Sequence, residues 1–182
     1  MLEINLLGVA TTFQPFLAAA GARPAQPLAL VGVASLAGWR GLPGNGAYCA
    51  SKAGLICYLQ SLRAELRGTA ASVHTVSPGY LRTPLTAGNR FVMPGLLEPD
   101  AAARMLLQGV ARGHEHIVLP RRMGWLARAL GCLPAAWHDA ILLRQPRKPR
   151  VGDAGATPIP GLDTSASTVS SSSSSRSQHK LP

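Results

Sequence analysis

The stretch Leu28-Ala29-Leu30-Val31-Gly32-Val33-Ala34-Ser35 decides the fold. An unbroken run of apolar residues and glycine, closed by a hydroxyl, reads as a strand buried on both faces, the kind that parallel sheets contain. Gly38, Gly41, Pro43, Gly44 and Gly46 follow and form a loop. The run Gly46-Ala47-Tyr48-Cys49-Ala50-Ser51-Lys52-Ala53-Gly54 then opens a helix. Strand, loop and helix in this order put Ser35 at the carboxyl end of a strand. Ligands of open α/β sheets bind at such ends.

On that helix Tyr48 and Lys52 are four residues apart, so phenol and ammonium share one face, one turn from each other. A free tyrosine, with a pKa of about 10, is a poor acid or base near neutrality. A fixed cation nearby favours a phenolate. Such a pair can pass a proton to or from a substrate oxygen. The pair alone is a weak signal, and a solvated helix face explains it equally. Ser35 can donate to the same carbonyl oxygen, or it can simply cap a turn.

Working outward, Ala71-Ser72-Val73-His74-Thr75-Val76 reads as a second strand that runs into Ser77-Pro78-Gly79-Tyr80-Leu81-Arg82-Thr83. Upstream, Ile4-Asn5-Leu6-Leu7-Gly8 opens a mostly apolar helix whose polar amide is Asn5. Periodicity predicts helices near 3–20, 46–67, 99–112, 121–131 and 134–143, and strands near 28–34, 72–76 and 115–119. Gly68 is the expected stop of the Tyr48 helix, and Pro99-Asp100 the expected start of the next.

Asn5, Ser35, Tyr48-x-x-x-Lys52 and Pro78-Gly79-x-x-x-Thr83 occur in an order and at a spacing that resemble the carboxyl-terminal half of a short-chain dehydrogenase/reductase. The resemblance covers residues 1 to about 120. It implies an α/β fold: a partial Rossmann-like, doubly wound parallel sheet, second half only, with short carboxyl-terminal helices and a disordered tail. It implies an oxidoreductase that interconverts a carbonyl and an alcohol with NAD or NADP. By the same resemblance Ser35 polarises the substrate carbonyl and Tyr48 is the general acid or base. Lys52 tunes Tyr48 and bonds the nicotinamide ribose, and Asn5 holds a water that links Lys52 to solvent. Pro78, Gly79 and Thr83 lie beside the nicotinamide. Bottom-up chemistry agrees, because hydride addition creates an alkoxide and donors are needed where that charge develops.

One departure is large. No Gly-x-x-x-Gly-x-Gly turn follows a strand, so no pyrophosphate cradle is legible. The glycines between Ser35 and Tyr48 read as the active-site loop instead. Met1 falls where the family's pattern is already under way, so the expectation is a chain lacking the cofactor-binding first half. The strand at 28–34 would then have one bare, apolar edge, open to pairing with another chain. A second reading follows: a truncated, non-catalytic polypeptide that acts at most as a binding or association module.

The expected organisation is a catalytic portion at 1–120, a basic helical extension at 121–150 and a disordered tail at 151–182, which contains six consecutive serines at 170–175. Segment 84–98, with Asn89, Arg90, Phe91 and Met93, corresponds to the family's variable substrate lid; its side chains suit an apolar substrate or simply pack on the sheet. Cys49, Cys57 and Cys132 match no metal spacing and no paired framework, so no metal is expected and free thiols in a reducing cytoplasm are. The net charge is +10, and the extension mixes arginines with Trp125, Leu126, Trp137 and Ile141. That mixture fits peripheral contact with an anionic membrane surface, a substrate-binding cap or a dimer contact. It does not fit nucleic-acid binding, for which no motif is present. A small-molecule substrate is the expected partner, and the resemblance implies a homo-oligomer for a full-length member.

Overall fold

A computed structural model of the chain describes residues 1–22, 27–87 and 93–143. The expected tail at 151–182 and the lid residues Asn89, Arg90 and Phe91 lie outside the described residues. Three strands form one parallel sheet in the order β1-β2-β3: β1 Leu28–Val33, β2 Ala71–Pro78 and β3 His116–Leu119. Leu30 lies opposite Val73, and Val76 opposite Ile117. Five consecutive residues of the middle strand, Val73 to Ser77, are buried, as expected of a strand covered on both faces.

Helices cover both faces. On one face α1 (Gly8–Ala22) and α2 (Gly46–Glu65) enclose a core of Phe13, Leu30, Leu55, Leu59, Leu62 and Val73. On the other, α4 (Pro99–Ala111) lies over Val76, Ala102, Ile117 and Leu119. This is a doubly wound arrangement. Close approach decides three positions. A Cβ on Gly32 would meet Leu59 Cδ1 at 2.4 Å, one on Gly109 would meet Ile117 Cδ1 at 2.8 Å, and one on Gly124 would meet Val118 Cγ1 at 2.6 Å. Gly124 belongs to α5 (Arg121–Gly131), which therefore packs on β3 from the side opposite α4. Helix α6 (Ala135–Leu143) follows. A single short turn of helix, α3 (Pro84–Ala87), lies in the region read as the lid, and Leu81 bridges Leu97 across it.

Two expectations change in detail. The first helix does not run uninterrupted from residue 3. Glu3–Leu7 forms a wider π-type turn before α1 begins at Gly8. The second strand is longer than its apolar run, because Ser77 and Pro78 continue the pairing with β3 up to Leu119. Gly68 does adopt the left-handed conformation expected near the end of α2, with φ of 86°.

The edge of β1 has no strand partner among the described residues beyond β2. Leu28 N–H bonds Ala70 O, and Ala34 N–H bonds Val76 O at 2.7 Å, so the even-numbered residues of β1 turn their backbone groups to β2. The odd-numbered ones, Ala29, Val31 and Val33, turn theirs to the open edge. A groove of about 680 Å³ runs beside that edge, between Val31–Val33 and Ile4, Val9 and Thr12.

Leu59 is fully buried at the centre of the first core. Leu59→Ala is expected to lower unfolding free energy by about 2–5 kcal/mol, measured as a drop in the urea midpoint at unchanged slope.

Candidate active site

Ser35 is buried two residues beyond β1 and caps a short 3₁₀ turn at Leu36–Gly38: its Oγ accepts the Ala37 N–H at 3.1 Å. The capping role and a donor role are compatible, since the bond to Ala37 uses a lone pair and leaves the hydroxyl proton free. The turn rests on α2. A Cβ on Gly38 would sit 2.8 Å from the Lys52 carbonyl carbon and 2.9 Å from its oxygen, and both atoms belong to a rigid helix. Glycine at 38 is what lets the Ser35 turn touch the helix that carries Tyr48 and Lys52.

The Lys52 side chain reaches back to the sheet. Its Nζ donates to the Val33 carbonyl at 2.9 Å and lies 5.9 Å from the centre of the Tyr48 ring. Val33 O is one of the open-edge carbonyls, so the ammonium satisfies a group that no strand pairs. Burial lowers the Lys52 pKa below the ordinary lysine value. The ammonium has three protons, and the Val33 bond engages one of them. The two others suit the hydroxyls of a ribose, and this donor set fits the nicotinamide end of a dinucleotide.

Asn5 sits in the π-type turn, and its Nδ2 donates to Ser51 Oγ at 3.0 Å. Ser51 is fully buried and donates in turn to the Tyr48 carbonyl at 2.7 Å. Asn5 is thereby a strut between the amino-terminal turn and α2, beside both Tyr48 and Lys52. Gly79 holds the end of β2 against β3 through its N–H to Leu119 O, at 2.7 Å. A Cβ on Gly79 would lie 3.5 Å from Leu36 Cδ1, which puts the Pro78-Gly79 turn against the residue after Ser35. Thr83 is turned elsewhere: its N–H and its hydroxyl meet Thr86 Oγ1 at 2.9 and 3.3 Å. The structure thus brings Asn5, Ser35, Tyr48, Lys52 and Gly79 to one end of the sheet.

A second layer of polar contacts was not legible in the sequence. Trp39 Nε1 donates to Ser77 Oγ at 3.3 Å, and Ser77 Oγ lies 2.8 Å from His116 Nε2. The indole can only donate, so Ser77 Oγ accepts from it. The Trp39 and His116 rings meet edge to face at 5.4 Å, and the Arg128 guanidinium lies 5.9 Å over Trp39. Arg40 donates to Gly131 O at 2.8 Å and to Leu133 O at 3.2 Å, satisfying carbonyls at the carboxyl end of α5. These contacts pin the loop between Ser35 and Tyr48 to α5. Their partners are 38 to 93 residues apart, beyond the reach of any local pattern.

The short chain dehydrogenase family profile matches residues 1–91. The chain belongs to the short-chain dehydrogenase/reductase family. It is 38% identical over 144 residues to an uncharacterized oxidoreductase of Myxococcus xanthus, an alignment that takes in 79% of this chain and 56% of that protein. Among solved structures it resembles a short-chain dehydrogenase from Burkholderia cenocepacia in complex with NADP, at 25% identity and a TM-score of 0.65, over 79% of this chain and 58% of that one. A short-chain dehydrogenase/reductase from Burkholderia phymatum in complex with NAD shares the fold, with a TM-score of 0.60, 20% identity, and coverage of 82% and 60%. The chain spans little more than half the length of these relatives. Within the family, the described part is an open α/β sheet with the Tyr48–Lys52 helix tied to the carboxyl end of β1.

Two expected outcomes test this geometry. Gly38→Ala forces the Ser35 turn off α2 and should cost about 1–3 kcal/mol of stability, read by urea unfolding. The second concerns acid. Desolvation, with the Arg63 and Arg128 charges adding to it, holds His116 below its ordinary value of 6.5. The unfolded chain therefore takes up that proton first as pH falls. The stability contributed by neutral His116 is present above about pH 6.5 and is lost as pH falls through the lower folded value. His116→Gln should flatten the acid limb of a urea-midpoint profile between about pH 7.5 and 5, relative to the unsubstituted chain.

Proposed function

We propose that this chain carries the proton-transfer side of a nicotinamide-dependent oxidoreductase that interconverts a carbonyl and an alcohol. The observation that carries the reading is the clamp at Lys52. One side chain ties the Tyr48 helix to the end of β1, two residues from Ser35, and still has protons to offer. Membership in the family supports the reaction class, and relatives solved with NADP and with NAD support a nicotinamide cofactor without choosing between them.

A nicotinamide, when bound, supplies or accepts the hydride. The remaining work falls to the chain. In the direction of reduction the Ser35 hydroxyl donates to the carbonyl oxygen and stabilises the charge that develops there. The Tyr48 hydroxyl gives its proton to that oxygen as the alcohol forms, and takes one back in oxidation. Lys52 holds positive charge beside the phenol and offers its two unengaged protons to the ribose. Pro78 and Gly79 bound the nicotinamide side, and Thr83 bonds the carboxamide if its hydroxyl turns from Thr86. Asn5 acts first as a positioning residue through Ser51. The water relay that the family resemblance implies would use its remaining polar atoms. The substrate is a small carbonyl or alcohol compound.

A second reading is favoured by the open β1 edge and the groove beside it. In it the polypeptide associates through that edge and does not turn over. Titration of the 182-residue chain with NADH and with NADPH separates the two. Saturable binding of either supports the enzyme. Absence of both supports association alone. Where turnover is measurable, Tyr48→Phe should lower kcat by roughly 10²-fold or more with the unfolding midpoint unchanged. Near-normal turnover in that variant would remove Tyr48 from the mechanism.

A further inference from the structure

The outward side of α5 is an apolar stripe with arginines at one end. The inward side of this helix is firmly held. Gly124 packs on Val118, Met123 lies against Gly95, Arg128 covers Trp39, and Arg40 holds the carbonyls at the helix end. At 100° per residue, the stripe opposite Gly124 consists of Arg122, Trp125, Leu126 and Ala129. Trp125 is 74% exposed and Leu126 50%. Helix α6 adds Trp137 at 68% and Ile141 at 40%, one turn apart, while its His138 is buried. Large apolar side chains this exposed, on helices whose other side is already packed, mark an interaction surface.

The charges say what kind. Arg121 and Arg122 are both exposed in the first turn of α5, which contains no acid. The helix dipole opposes cations at that end, so these two side chains do not serve helix stability. An anionic partner would neutralise both of them together with the helix terminus. From residue 120 to 150 the sequence has seven Lys or Arg against a single acid, Asp139. A second copy of the chain would bring the same arginines to the contact, and like charges oppose that pairing. No described helix is long and apolar enough to cross a membrane. A short helix with Trp and Leu outward and arginine at its flank is the form that lies in a bilayer interface, with the indole at the boundary and the guanidinium on lipid phosphates.

We infer that the outward side of α5 docks on a bilayer carrying anionic headgroups, with Trp125 and Leu126 entering the interface and Arg121 and Arg122 on phosphates. The inference does not depend on the reaction proposed above.

The test is co-sedimentation of the full 182-residue chain with vesicles of phosphatidylcholine alone, and with phosphatidylglycerol added to about one-third, at low and high salt. The chain should bind the anionic vesicles, bind the neutral ones weakly, and dissociate as salt rises. Trp125→Glu with Leu126→Glu should weaken binding by roughly tenfold or more. So should Arg121→Gln with Arg122→Gln. Both pairs lie outside the core, and circular dichroism with urea unfolding should match the unsubstituted chain. Should one pair unfold the chain, Trp125→Ser alone gives the same reading of the stripe. Equal affinity for the two vesicle types, or no binding to either, overturns the inference. So does binding that survives the Trp125 and Leu126 changes, since charge alone would then account for it. A lipid-free dimer abolished by the same changes reassigns the stripe to contact between copies.

Discussion

The bond from Lys52 Nζ to the Val33 carbonyl is the constraint on which the candidate site depends. It joins the helix that bears Tyr48 to the strand that leads to Ser35. Apolar packing of Leu30 with Leu55 and Leu59, and the close approach of Gly38 to the Lys52 backbone, hold the same two elements together. The bond also gives a partner to a backbone group on the open edge of β1. A lysine whose charge is partly desolvated gains from a fixed acceptor, and Val33 O is one that β2 does not engage. Each group answers the other's requirement. The geometry that results holds the ammonium above the Tyr48 ring with donors to spare.

Around this bond the rest of the site is assembled by close approach. Gly38 lets the Ser35 turn lie on the Lys52 backbone, Ser51 links Tyr48 to Asn5, and Gly79 seats the end of β2 against Leu36. Farther out, the Trp39–Ser77–His116 contacts and the Arg40 cap fasten the same loop to α5. The loop between Ser35 and Tyr48, rich in glycine and so entropically expensive to order, is thus held from two sides. Its position reflects these contacts more than any preference of its own sequence.

Much of the fold is legible in the sequence. The run from Leu28 to Ala34 read as a strand buried on both faces, whereas in β1 Leu30 and Gly32 are buried and Ala29 and Val33 are exposed; the Tyr48 segment had helical spacing, and Gly68 marked where α2 gives way. The candidate site was readable as a set of residues, because Asn5, Ser35, Tyr48, Lys52 and Pro78-Gly79 stand in a recognisable order. What was not readable is what each one touches. Nothing local distinguishes Ser51 from any helix serine, yet it is the link between Asn5 and Tyr48. Nothing near Arg40 announces that it closes a helix more than ninety residues later. Thr83 stood in the expected position and yet is turned to Thr86.

By itself the sequence determined the element types, the parallel class of the sheet and the set of candidate site residues, because hydrophobic period, glycine placement and residue spacing are local properties of the chain. Tertiary structure alone decided that Lys52 grips an edge carbonyl, that Ser77 and His116 support the loop between Ser35 and Tyr48, and that Trp125 and Leu126 face outward. Those outcomes depend on which distant surfaces meet when the helices close over the sheet. Burial and hydrogen-bond satisfaction are settled across the whole fold, and no stretch of sequence contains them.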